Sequence, residues 1–191
     1  MNAFDSVIYF LIATTFNLIS LVLWSRLFIQ YFSLNRLHQF SHGIYQLTNP
    51  IVKLTHTYVL RGYKLHPRYD LPCLLVLIIC ELLRFTILNF VFLQNLLPLL
   101  YLFLYVIIHM ILQPCNILFY AIIIRAILSL VNPGWQNPII YMLFAITEPM
   151  LKPIRTLIPP IAGIDFSIIF VLLGLKSIEL FILRLLPYQL F

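Results

Sequence analysis

The chain has 191 residues, of which 62% are hydrophobic and 9% charged, with a net charge of +6. A soluble domain carries roughly 25% charged residues, so this composition excludes a globule in water and places the chain in a membrane. The basic excess therefore points to a membrane face and anionic lipid headgroups, not to nucleic acid.

The first apolar run, Val7 to Phe28, is long enough to span. A cleaved signal peptide is not expected: the segment before the run has Asp5 and no Lys or Arg, and no small-residue cleavage site follows. A polar insert, Ile29 to Tyr69, carries Arg36, Lys53, Arg61, Lys64 and Arg68, with Arg26 at its edge. The second span is expected at 71–93 and contains Glu81 and Arg84. The uncharged break QNLLP at 94–98 precedes a long apolar tract holding the third span, about 105–128, with room for a short interfacial helix before it. The fourth span is expected at 166–186 and contains Lys176 and Glu179.

Between the third and fourth spans lies a second insert. Asn137 and Pro138 suit a helix start, as cap and first-turn residue. IIYMLFAIT is too short to span and too apolar for a free loop, so an interfacial or re-entrant helix is expected, with Trp135 and Tyr141 at headgroup level. TEPMLKPIRTLIPP follows. Pro149 fits the first turn of a second short helix after Thr147, Pro153 should disturb that helix, and Pro159 and Pro160 should end it. Lys152 and Arg155, three apart, share a face. That face suits lipid headgroups or, alternatively, a protein partner.

The two halves are related. Arg26 and Arg125, Thr48 and Thr147, and Lys53 and Lys152 share one offset of 99 residues, and Asp70 and Asp165 follow at 95. Repeats are thus expected at 1–97 and 98–191. Each contains two spans, so both run in the same sense, with a symmetry axis along the membrane normal. The Lys and Arg distribution puts both inserts on the cytoplasmic side and both termini outside it; Arg184 argues weakly against this. Asp70 and Asp165 are expected to cap the second and fourth spans, with Ser167 in the first turn of the latter. Pairs Arg26–Asp70 and Arg125–Asp165 are expected, against the alternative of separate solvated caps.

Glu81, Arg84, Lys176 and Glu179 form a second set. Glu81 matches Lys176 and Arg84 matches Glu179 at the offset of 95, with the signs exchanged. Each set begins about 16 Å into the bilayer at 1.5 Å per residue, where isolated charges are costly. Either the four form a cluster joining the repeats, or each i,i+3 pair closes on its own helix. The cluster is read as structural glue or as an ion path.

Weaker candidates are His38 and His42, four apart, as metal ligands, and His109 as a haem ligand or proton shuttle. Interfacial exposure and an interhelical hydrogen bond are the simpler roles. Cys73, Cys80 and Cys115 match no metal or disulfide framework. No metal, cofactor or catalytic group is expected, and no enzyme motif is present.

The order of an arginine-bearing span, TEPMLKPIRTLIPP and GIDFS resembles the YggT family of integral membrane proteins, in its two-repeat bacterial form. In the second copy Arg125, Asn137, Pro138, Glu148, Pro149, Pro153, Arg155, Pro159, Gly163, Asp165 and Ser167 stand where the family motif has them. The first copy departs, with Asn49 for the Glu, His56 for the Arg, and LP after Asp70. The resemblance implies a multi-pass bacterial inner-membrane protein. It also implies a role in osmotic or extracytoplasmic stress and ion balance or, as in the family's chloroplast and cyanobacterial relatives, in assembling membrane complexes such as a cytochrome. The resulting expectation is an all-α membrane protein of two tandem helical hairpins with short interfacial helices.

Overall fold

In the computed structural model, residues 3–34, 38–58, 69–93, 99–131, 138–158 and 165–185 are described. They form six α-helices: α1 (Ala3–Tyr31), α2 (His38–Tyr58), α3 (Leu71–Leu88), α4 (Leu99–Val131), α5 (Pro138–Leu157) and α6 (Ser167–Arg184), with a π-helical turn, Asn89–Leu93, extending α3. The protein is an all-α membrane protein. In hydrocarbon every backbone N–H and C=O must be satisfied within its own helix, and long Leu/Ile/Phe runs meet that requirement.

Among the described residues, three segments are long and apolar enough to cross a bilayer: Phe4–Tyr31, Leu71–Val91 and Leu99–Ser129. α6, with 18 residues and the charges Lys176, Glu179 and Arg184, is not among them. The tract before the third span holds no separate interfacial helix, because α4 runs unbroken from Leu99.

The chain divides into two compact units, Met1–Gln113 and Pro114–Phe191. In the first, α2 and α3 both pack on α1. Leu23, Val52, Cys73, Val76 and Leu77 form the core, with Trp24 and Met110 against it. α1 ends at Ser33, whose φ of 53° is the left-handed conformation that stops a helix; Leu34 then buries and its carbonyl accepts from Ser41 Oγ at 3.3 Å, turning the chain into α2. In the second unit α5 packs on α6.

The proline-rich insert differs from expectation. It is not two short helices but one, Pro138–Leu157, with Pro149 and Pro153 inside it. A proline in a helix interior removes one hydrogen bond and costs about 3 kcal/mol. Both prolines lie on the exposed side, whereas Leu143, Ile146, Thr147 and Leu151 form the buried face. Burial of that face holds the helix together. α2 tolerates Pro50 in the same way.

Candidate functional site

In the first unit an arginine tie forms at the end of the α1–α3 hairpin. Arg26 Nε donates to Asp70 Oδ2 at 2.7 Å. Its Nη1 donates to Thr48 Oγ1 at 2.7 Å and Asn49 Oδ1 at 3.0 Å. The Tyr45 ring lies 4.8 Å below the guanidinium. Thr48 is set by its own hydroxyl, which donates to Ile44 O at 2.8 Å. Asp70 also caps α3, accepting from Cys73 N at 3.1 Å. One carboxylate thus fixes α3's start and ties α1 and α2 to it, as the expected Arg26–Asp70 pair required.

The second unit repeats the tie with one change. Arg125 Nη1 donates to Thr147 Oγ1 at 2.7 Å, Thr147 donates to Leu143 O at 2.7 Å, and the Phe144 ring lies 3.9 Å from the guanidinium. The expected Arg125–Asp165 pair is replaced. Arg125 Nη2 donates instead to Glu148 Oε2 at 2.7 Å. Arg155 Nη1 donates to Glu148 Oε1 at 2.9 Å, and Arg155 Nε to Asp165 Oδ2 at 2.7 Å. The result is an alternating ladder, Arg125–Glu148–Arg155–Asp165. The reason lies in two substitutions between the repeats. Where the first has Asn49 and His56, the second has Glu148 and Arg155 at the same offset of 99, and these intercept both ends of the direct pair.

Asp165 is not the cap residue itself, since Phe166 holds that position without a side-chain bond. It nonetheless accepts from Ser167 N at 3.1 Å and from Ser167 Oγ. Burial pushes the Glu148 carboxyl up, but the hydrogen bond and charge of Arg125, with Arg155 beside it, outweigh this and hold it below its ordinary value. Asp165 is likewise pushed up by burial, and is held low by Ser167 and Arg155. Burial lowers Arg155, and its carboxylate partners Asp165 and Glu148 more than reverse that. Lys152 is exposed on the outer face of α5. Asn137, Pro159 and Gly163 lie outside the described residues, as do Trp135, Arg36, Arg61, Lys64 and Arg68.

In α3 and in α6 the charges three residues apart meet on their own helix, as one of the two arrangements considered has it. Glu81 Oε2 lies 3.6 Å from Arg84 Nη1, and Lys176 Nζ lies 2.5 Å from Glu179 Oε2. Around Glu81, Ser20 Oγ donates to Oε1 at 2.5 Å and His109 Nδ1 lies 2.9 Å from Oε2. Arg84 Nη1 reaches His109 Nε2 at 2.7 Å and Asn17 Oδ1 at 2.9 Å. His109 thus has the Arg84 guanidinium at Nε2 and the Glu81 carboxylate at Nδ1, so both ring nitrogens face protein groups. Glu81, Arg84 and His109 are 1%, 4% and 5% exposed. In the second unit Lys176 Nζ also lies 3.4 Å from Asn116 Oδ1 and 4.6 Å from the Phe119 ring centroid.

Asn17 and Asn116 escaped the sequence reading, although they stand at the same offset of 99 as the arginines. Each comes from the first helix of its repeat and accepts from the cation on the second, Arg84 in one and Lys176 in the other. The sign exchange is thereby accommodated, because an amide oxygen reaches the cation whichever of the two positions holds it. Ser20 and His109 have no polar counterpart at that offset. Among the described residues, no group of three or more His, Cys, Asp or Glu forms a metal site. The three cysteines are free, and His42 is exposed.

Comparison with known proteins agrees with this duplicated geometry. The chain is 30% identical over 168 residues to an uncharacterized protein in the proC 3' region of Vibrio alginolyticus, covering 87% of this chain and 88% of that one. It is 29% identical over 177 residues to the uncharacterized protein YggT of Escherichia coli K12, covering 90% and 86%. An uncharacterized protein of Haemophilus influenzae is 44% identical over 66 residues, about a third of each chain (33% and 36%). No solved structure matches. The CCB3/YggT family model matches twice in tandem, at residues 6–91 and 92–186, and the chain belongs to that family.

Proposed function

We propose that this chain is a non-enzymatic, multi-pass protein of the bacterial inner membrane that holds other membrane proteins during their assembly. In this reading its inserts lie on the cytoplasmic side and its termini in the periplasm, and α6 serves as the fourth span. The observation that carries the reading is the closure of the first unit's interior charges. Glu81, Arg84, His109 and Ser20 are buried in contact with one another, with half-buried Asn17 at their edge, so they act as packing glue between α1, α3 and α4. What the protein offers outward is α5, stiffened by the Glu148–Arg155–Asp165 ladder, with Tyr141, Pro149, Lys152, Pro153 and Leu157 exposed. A rigid helix with an exposed aromatic, prolines and one cation suits the docking of a protein partner.

Direct support of ion or osmotic balance is the second reading. The observation favouring it is that the Lys176 side chain is 39% exposed despite lying within α6. Ion flux through the purified protein in liposomes under a salt gradient, wild type beside Lys176→Ala, separates the two. Assembly predicts no flux from either. In cells, a photo-crosslinker at Lys152 should then capture a membrane protein, and one at buried Leu151 should not. Flux that vanishes in Lys176→Ala would sink the assembly reading.

A further inference from the structure

We propose that α2 dips into the acyl-chain layer beside α1, and that the groove between them binds one phospholipid acyl chain. The depth of α2 is read from its partners. Near its N-terminus Ser41 bonds to Leu34 O, and Thr48 is held by Arg26 at the hairpin end. Further along, Val52 packs with Leu23, Val76 and Leu77, well inside the spans. Leu47 and Ile51 line a cavity of about 280 Å³ with Leu18, Ile19, Val22 and Cys80. From Arg26 to Leu18 is about 12 Å along α1, and from Asp70 to Cys80 about 15 Å along α3, at 1.5 Å per residue. In a hydrocarbon core of about 30 Å that is the depth of acyl chains, not of headgroups.

The surface of α2 matches this depth. Leu47, Ile51, Leu54 and Tyr58 form one stripe and are 70%, 52%, 56% and 77% exposed. His42, Gln46, Lys53 and Thr57 form a separate exposed polar stripe. An interfacial helix lays the first kind of stripe in lipid and the second in water. The groove is continuous with the outer surface of α1, where Leu18 and Leu21 are exposed on a membrane-spanning helix. The bilayer therefore supplies the occupant. The feature belongs to the first repeat. At the offset of 99, the α5 residue matching Leu47 is Ile146, which is 5% exposed.

The test uses the full chain in phosphatidylethanolamine/phosphatidylglycerol vesicles. Single cysteines replace Leu47, Ile51 or Leu54 on one stripe and Gln46, Lys53 or Thr57 on the other, with Cys80→Ala and Cys115→Ala, and carry a small fluorophore. Nitroxide on lipid chains should quench the first set several-fold more than aqueous iodide does, with the reverse order for the second. Iodide quenching of both sets would overturn the proposal, as would a first set quenched by neither, which would mean that protein covers the stripe. Native mass spectrometry tests the groove. The wild type should retain one phospholipid, and Ile19→Trp, which fills the groove, should lose it while the stripe labels keep their quenching. A wild type that retains none, or a variant that keeps its lipid, removes the groove from the proposal.

Discussion

Asp70→Asn should unfold the first unit far more readily than Asp165→Asn unfolds the second. Asparagine caps a helix about as well as aspartate, so the substitution keeps the bond from Cys73 N to Oδ1 and sets an amide NH2, a donor, where Oδ2 accepted from Arg26. Asp70 and Arg26 are 2% and 9% exposed in their side chains. Breaking a buried pair by removing one partner costs about 3–5 kcal/mol. Arg26 keeps Thr48, Asn49 and the Tyr45 ring, which puts the loss near the lower end, about 3 kcal/mol. Asp165 and Arg155 are 22% and 29% exposed, and Arg155 keeps Glu148. A water-facing pair of this kind is worth about 0.5 kcal/mol. Adding Asn49→Glu to Asp70→Asn rebuilds the second unit's tie in the first, and should return about half of the loss. Titration of the purified protein with sodium dodecyl sulfate reads these values. Trp24 packs on the first unit's core, so its fluorescence in a Trp135→Phe background follows that unit, and far-ultraviolet circular dichroism follows the whole. Equal losses for the two aspartates, or no rescue by Asn49→Glu, would refute the assignment of the tie to the buried pair.

Two further outcomes follow from the ion pairs. Glu148 and Asp165 are held below their ordinary values of 4.5 and 3.8. Their contribution is therefore fully present above those values and is lost as pH falls through the lower folded ones. Helix melting between pH 6 and pH 3 should show a stability loss concentrated at the acidic end, and Glu148→Gln should flatten it. Lys176→Glu should destabilise α6 by placing like charges one turn apart. Glu179→Lys added to it should restore stability, because the pair closes within the helix, whereas Glu81→Lys should add a second loss by breaking the contacts of Ser20, Arg84 and His109. Thermal unfolding of the three variants in detergent distinguishes these results.

Much of this was legible in the sequence, because membrane physics acts on local properties. A run of about 20 apolar residues forms a helix wherever lipid is the solvent. The duplication at offsets of 99 and 95 singles out Arg26, Arg125, Asp70, Asp165 and the interior charges from sequence alone. The Asp70 cap follows from a carboxylate just before a helix, and the Arg26–Asp70 pair from the hairpin that joins their helices.

Packing of the helices on one another settled the choice among partners. Arg125 had two carboxylates within reach, and the geometry of α5 gave it Glu148 and gave Asp165 to Arg155. Glu81 closed on Ser20 and His109 through the packing of α1 and α4 on α3, which no spacing encodes. Local rules also misjudged α5. Proline chemistry alone breaks that helix at Pro149, but the buried face of Leu143, Ile146, Thr147 and Leu151 keeps it whole. Propensity is a short-range energy of a few kcal/mol, and burial of a helix face exceeds it only once the neighbouring helices are in place.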